Sequence, residues 1–85
     1  MLPSQVNIVI ASILSTAYEA EKTGSPFPES YGYLAVNSNM HDWELIRNIL
    51  IDFKLATINQ NCIKLTEIGR DIAKKCDQVL IDSKI

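Results

Sequence analysis

Apolar residues recur at Val6, Val9, Ile10, Ile13, Ala17 and Ala20, the spacing of a helix that buries one stripe about 100 degrees wide. Pro3 suits the first turn of that helix and Gly24 its end. Ile8 falls on the opposite, nominally wet face together with Ser15 and Glu19. The run Gly24-Ser25-Pro26-Phe27-Pro28 then holds the backbone extended until Pro28 opens a second, short helix. In that helix Tyr31, Leu34 and Ala35 sit at i, i+3 and i+4 and are expected to face inward. Gly32 lowers its intrinsic helicity by about 1 kcal/mol relative to alanine, so packing must hold it.

Asn37-Ser38-Asn39 is a break, and Asn39 with Asp42 three residues on has the form of a helix cap. The third helix places Trp43, Ile46, Leu50 and Phe53 within about 80 degrees of one another, with Leu45 and Ile49 on one flank. Beyond Phe53 the period changes. Leu55 to Ile58 and Cys62 to Leu65 read as two strands joined through Asn59-Gln60-Asn61, whose asparagines tolerate left-handed backbone. Alternation puts Ile63 and Leu65 on one face and Cys62 and Lys64 on the other. Thr66 caps a last helix with Ile68, Ile72, Cys76, Val79 and Leu80 inward and Arg70, Lys74 and Asp77 outward.

Composition narrows the class. The chain has 85 residues, 47% hydrophobic and 21% charged, which fits one ordinary globular domain spanning residues 1–85. Ten acidic against eight basic side chains give a net charge of −2, so the overall field does not steer the molecule toward phosphate backbones. No apolar run approaches the roughly 20 residues of a membrane span. Ile8 to Leu14 followed by Ser15-Thr16-Ala17 has the outline of a signal peptide, but no Lys or Arg precedes Lys22. A cytoplasmic protein with Cys62 and Cys76 as reduced thiols is expected.

The order helix, short helix, longer helix, two strands and closing helix resembles the winged helix-turn-helix family. The stretch from His41 to Lys75 is similar to the core of MarR- and PadR-type regulators, whose recognition helix ends in a leucine-rich turn before a strand and a wing. Ile46, Leu50 and Leu55 match that first part, and Leu65-Thr66-Glu67-Ile68-Gly69-Arg70 matches the closing leucine, threonine and glycine motif. The likeness covers the last half of the chain by motif and the first half by helix order. It implies a mainly α chain with a small β-hairpin (α+β), a winged helix ordered α-α-α-β-β-α. Leu65 then plugs the core, Thr66 caps the last helix, and Gly69 lets that helix pass close to its neighbour. Lys54 stands where the family usually has glycine at a left-handed turn, at a cost of about 1 kcal/mol.

The resemblance implies a small DNA-binding or transcription-regulator-like protein without catalysis. His41, Glu44, Arg47 and Asn48 on the third helix would face the groove, and Lys54, Lys64, Arg70 and Lys74 would be the phosphate anchors. The side chains leave an alternative open. Two carboxylates and an isoleucine face outward on the third helix, and exposed Ile8, Leu45, Ile51 and Ile81 would supply contact area for a protein partner or a second copy. Ile81 and Ile85 on the tail are further candidates for dimerisation. Trp43 is assigned to the core rather than to base stacking. His41 is the sole histidine and has no cysteine at ligand spacing, and no phosphate loop or nucleophile motif occurs. No metal, cofactor or catalytic residue is therefore expected.

Overall fold

The amino-terminal stripe forms α1 (Pro3–Thr23), with Pro3 in its first turn and the Leu2 N–H donating to Gln5 Oε1 at 3.1 Å. The computed structural model describes residues 2–82, with side chains through Cys76. α2 (Glu29–Ala35), α3 (Met40–Asp52), β1 (Ala56–Asn59), β2 (Cys62–Leu65) and α4 (Glu67–Asp82) follow. The described residues thus form a mainly helical α+β arrangement with one antiparallel hairpin, in the expected element order.

Three of the helices stop by the same device, a left-handed residue whose N–H and the next N–H turn back onto the last carbonyls. At the end of α1 the residue is Gly24 (φ 72), with Gly24 N–H to Glu21 O at 3.1 Å and Ser25 N–H to Ala20 O at 2.8 Å. After α2 it is Asn37 (φ 57), with bonds to the Leu34 and Tyr33 carbonyls from Asn37 and Ser38, both 3.0 Å. Asn39 then opens α3 by accepting the Asp42 N–H at 3.1 Å, so the Asn37-Ser38-Asn39 break closes one helix and caps the next. At the end of α3 it is Lys54 (φ 58), with Lys54 N–H to Ile51 O at 3.0 Å and Leu55 N–H to Leu50 O at 2.9 Å. Glycine adopts this backbone without strain and lysine does not. Lys54→Gly is therefore expected to raise stability by about 0.5–1 kcal/mol in chemical denaturation. A loss would show that the lysine side chain holds the turn.

The hairpin pairs Ala56 with Leu65, Thr57 with Lys64, Ile58 with Ile63 and Asn59 with Cys62. Its connection is Gln60-Asn61, both left-handed (φ 52 and 59), which matches the twist of a tight two-residue turn. The connector between α1 and α2 lies against the other side of β2: Ile63 N–H donates to Phe27 O at 2.8 Å and Glu29 N–H to Asn61 O at 2.7 Å, and Pro28 bridges to Cys62. Successive residues of a strand point their backbone groups to alternate sides, so β2 is bonded along both edges.

Thr66 knits the hairpin to α4. Its hydroxyl accepts the Gly69 N–H at 3.0 Å and donates to the Lys54 carbonyl, and its own N–H donates to Leu55 O at 3.1 Å. Gly69 then crosses the chain so closely that a Cβ there would overlap the Leu55 carbonyl oxygen and lie 2.8 Å from its carbon.

The core gathers Ile13, Leu14 and Ala17 of α1, Phe27, Val36, then Trp43, Ile46 and Leu50 of α3, with Leu55, Ala56, Ile63, Leu65 and Ala73. Val6, Val9, Ile10, Ala20 and Ile72 pack at its edge. Several expected inward positions prove otherwise. Phe53 is 69% exposed, although its N–H still bonds to Ile49 O at 3.0 Å in helical register; it stands at the C-cap of α3, past the last buried residue of the stripe, Leu50. In α2 the inward face carries Gly32 and the half-buried Tyr33, followed by Val36, while Tyr31, Leu34 and Ala35 are exposed. The cause is the Trp43 indole, which lies on Gly32 where any Cβ would collide with the ring. Ile68 is also exposed, and the buried positions of early α4 are Gly69 and Ala73. Cys62 and Cys76 are free and half-buried, Cys62 at the turn of the hairpin and Cys76 in the wall of a groove. Val79, Leu80 and Asp77 lie outside the residues whose side chains are described.

Candidate interaction surface

At 100 degrees per residue, His41, Glu44, Asn48, Ile51 and Asp52 share the side of α3 opposite the buried Trp43, Ile46 and Leu50, and all five are exposed. The structure therefore brings together the third-helix residues singled out from sequence. Leu45 and Ile51, each 42% exposed, stand on the two flanks of that face. Two further apolar side chains, Met40 and Phe53, are uncovered at the two ends of α3. Sequence patterning did not flag Met40 and placed Phe53 in the core, where the structure leaves it exposed at the C-cap of α3.

The basic candidates do not converge on this face. Arg47 sits on its flank with its Nε 3.7 Å from Glu29 Oε1. The same carboxylate oxygen accepts the Trp43 Nε1–H at 3.1 Å. Glu29 thereby holds both the buried indole and the one arginine of α3, a role that no local spacing announces, since Glu29 lies one element earlier. Arg70 forms a two-pronged bond to Glu21 across the α1–α4 contact, Nε to Oε2 at 2.9 Å and Nη2 to Oε1 at 3.1 Å. The Arg70 guanidinium holds the Glu21 carboxyl below the usual carboxylate range, chiefly by hydrogen bonding and against the opposing effect of burial; Arg70 is raised in turn. Lys64 is exposed on β2 and borders a hollow with Ala20, Glu21 and Ser25, at the α1 side of the hairpin. Lys54 at the α3 turn and Lys74 on α4 are exposed.

What remains on α3 is an acidic surface with uncovered apolar side chains. Glu44 and Asp52 project from it, and its arginine is already beside a carboxylate. A phosphate backbone requires cationic groups along its track, and this face supplies repulsion instead.

Of the residues expected to form a protein contact, Ile8 is 68% exposed on α1 and lines a hollow with Val36, Asn37 and Asp42, beside the start of α3. Ile81 lies in α4 but outside the residues whose side chains are described, and Ile85 lies outside the described residues. Among the described residues no group of three or more His, Cys, Asp or Glu side chains could hold a metal ion, and no helix is long and apolar enough to cross a membrane. No protein-family model matches this chain, and comparison with curated proteins and with solved structures finds no match.

Proposed function

We propose that the chain is a winged-helix domain serving as a protein-binding module, and that the outward face of α3 is its contact surface. Two features support the winged-helix part: the element order, and the α1–α2 connector bonded to the far edge of β2, which gives the small sheet the order connector, β2, β1. The fold alone is compatible with either kind of partner. The observation that carries the protein reading is the chemistry of α3. Met40, Leu45, Ile51 and Phe53 are uncovered around Glu44 and Asp52, while Arg47 and Arg70 are engaged by Glu29 and Glu21.

Apolar contact area with few unpaired cations suits a protein surface better than a duplex. The complementary partner is a segment that offers apolar side chains flanked by lysine or arginine, such as a basic amphipathic helix. DNA binding is the second reading, favoured by exposed Asn48 and His41 on α3 and Lys54 at its end.

A titration followed by amide chemical shifts separates the two. With a synthetic amphipathic helix of leucine and lysine, shifts are expected on residues 40–53, and they should vanish in the double variant Glu44→Lys, Ile51→Ser. A glutamate-for-lysine version of the peptide should leave those amides in place. Shifts on α3 with a random-sequence DNA duplex that fade steeply from low to physiological salt would overturn the protein reading in favour of DNA. An unresponsive α3 in every titration would overturn it outright.

A further inference from the structure

A hollow of about 390 Å³ opens between α2 and α3, beside the outward face of α3, with which it shares Glu44. Met40, Trp43, Glu44 and Arg47 line it at i, i+3, i+4 and i+7, one stripe of α3, and Glu29 and Tyr33 line it from α2. Asn61 of the hairpin turn borders it beside Glu29, whose N–H donates to the Asn61 carbonyl at 2.7 Å. All of these residues lie between 29 and 61, where every side chain is described.

The two carboxylates of the hollow are only half used. The Glu29 side chain is 23% exposed, and its Oε1 accepts the Trp43 Nε1–H at 3.1 Å and faces Arg47 Nε at 3.7 Å. Oε2 accepts nothing from the described residues. No buried side-chain N or O atom among them lacks a partner, so Oε2 is open to solvent. Glu44 is exposed, and its carboxylate makes no ion pair or hydrogen bond with the described residues. Two carboxylates against one guanidinium leave the lining one positive charge short of neutral.

We propose that this hollow receives an arginine side chain of the protein partner that α3 binds, an inference that rests on the protein reading given above. The incoming guanidinium donates to Glu29 Oε2 and to the Glu44 carboxylate. Its stem and flat face lie against Tyr33 and Met40, the latter 55% exposed and without other cover. A guanidinium is planar, weakly hydrated and carries five donors in a fixed fork, so one group serves two carboxylates while resting on aromatic and thioether surface. An ammonium is a compact, strongly hydrated point charge. Reaching a carboxylate as covered as Glu29 would strip it of water that it holds tightly. Arginine is therefore selected over lysine.

The test compares three forms of one amphipathic helical peptide, with leucine on its apolar face and arginine, lysine or neutral citrulline at the same positions on the other. Each is titrated into the full chain, and the amide signals and the indole signal of the single tryptophan are followed. The arginine form is expected to bind at least about fivefold tighter than the lysine form, and to move the Trp43 Nε1–H resonance, which reports on Glu29. Citrulline should lose that shift. Glu29→Gln and Glu44→Gln should each bring the arginine and lysine forms to parity. The first variant keeps a side-chain oxygen for the indole, and the second changes an exposed residue, so it carries the test if the first is unstable. Asp52→Asn, which does not line the hollow, should weaken both forms alike. Equal affinity for arginine and lysine, with the α3 amides still shifting, overturns the arginine site and leaves the protein reading standing. A preference that survives both glutamate variants, or that Asp52→Asn removes, also overturns the site. Silent α3 amides with every form overturn the protein reading, and the arginine site with it.

Discussion

Gly69→Ala is expected to cost about 3 kcal/mol or more, although helix propensity on its own points the other way. Inside a helix, alanine is favoured over glycine by about 1 kcal/mol. At Gly69 the added methyl would overlap the Leu55 carbonyl oxygen, a backbone atom that already accepts the Thr66 N–H and has no side-chain freedom to move away. The steric effect therefore decides the sign, and α4 must pull back from the α3–β1 turn. Gly24→Ala is the control: nothing lies within 4 Å of its Cβ position, so only the left-handed backbone (φ 72) opposes it, at about 1 kcal/mol. Urea denaturation followed by the fluorescence of the single tryptophan would measure both. Equal costs at the two glycines would show that α4 does not pack as described.

The second large effect is expected at that tryptophan. Trp43 is 3% exposed, rests its ring on Gly32 and donates its Nε1–H to Glu29. Trp43→Ala should lose about 3–5 kcal/mol, from the emptied volume and the lost contact area together. A domain of this size has about 5–15 kcal/mol in total, so the variant is expected to melt at least about 12 °C lower or to be unfolded at room temperature. Trp43→Phe keeps an aromatic ring on Gly32 and loses the bond to Glu29, so it should fall well short of the alanine cost. Circular dichroism melts of the pair test this. A mild effect of the alanine variant would place the indole at the surface, where the sequence alone could have allowed a stacking role.

The elements were legible because their signals are local. Apolar spacing located α1, α3 and α4, and the asparagines at 37, 39 and 61 marked turns and a cap that the backbone bears out, whereas Asn59 closes β1 and Gln60 takes the left-handed place beside Asn61. The family resemblance implied a left-handed turn at Lys54, and its φ of 58 agrees. The inward face of α2 was not legible, because it carries a glycine under an indole: a hydrophobic pattern counts side chains, and at Gly32 the packing requires the lack of one. Ala73 escaped notice for a related reason, since a small residue gives a weak apolar signal yet permits the closest helix contact. Phe53 was misplaced because angular position does not say where along the axis the core ends: its N–H still bonds to Ile49 O, yet its side chain stands past the buried Leu50. For the surface, the outward residues of α3 followed from the period, but the carboxylates that engage its basic candidates did not. Glu29 with Arg47 and Glu21 with Arg70 join separate elements, and no spacing along the chain encodes them.

The small sheet has a bearing on how this molecule meets others. With β2 bonded on both sides, the outer edge belongs to β1, which is four residues long, and to a connector whose Pro28 has no N–H to offer. Intruding strands need a run of open backbone groups to zip onto, and along β1 only the alternate residues Ala56 and Ile58 point theirs to that edge. Growth by strand pairing therefore has little to build on, and the exposed apolar side chains Ile8, Leu45 and Ile51 that this chain offers to others stand on its helices.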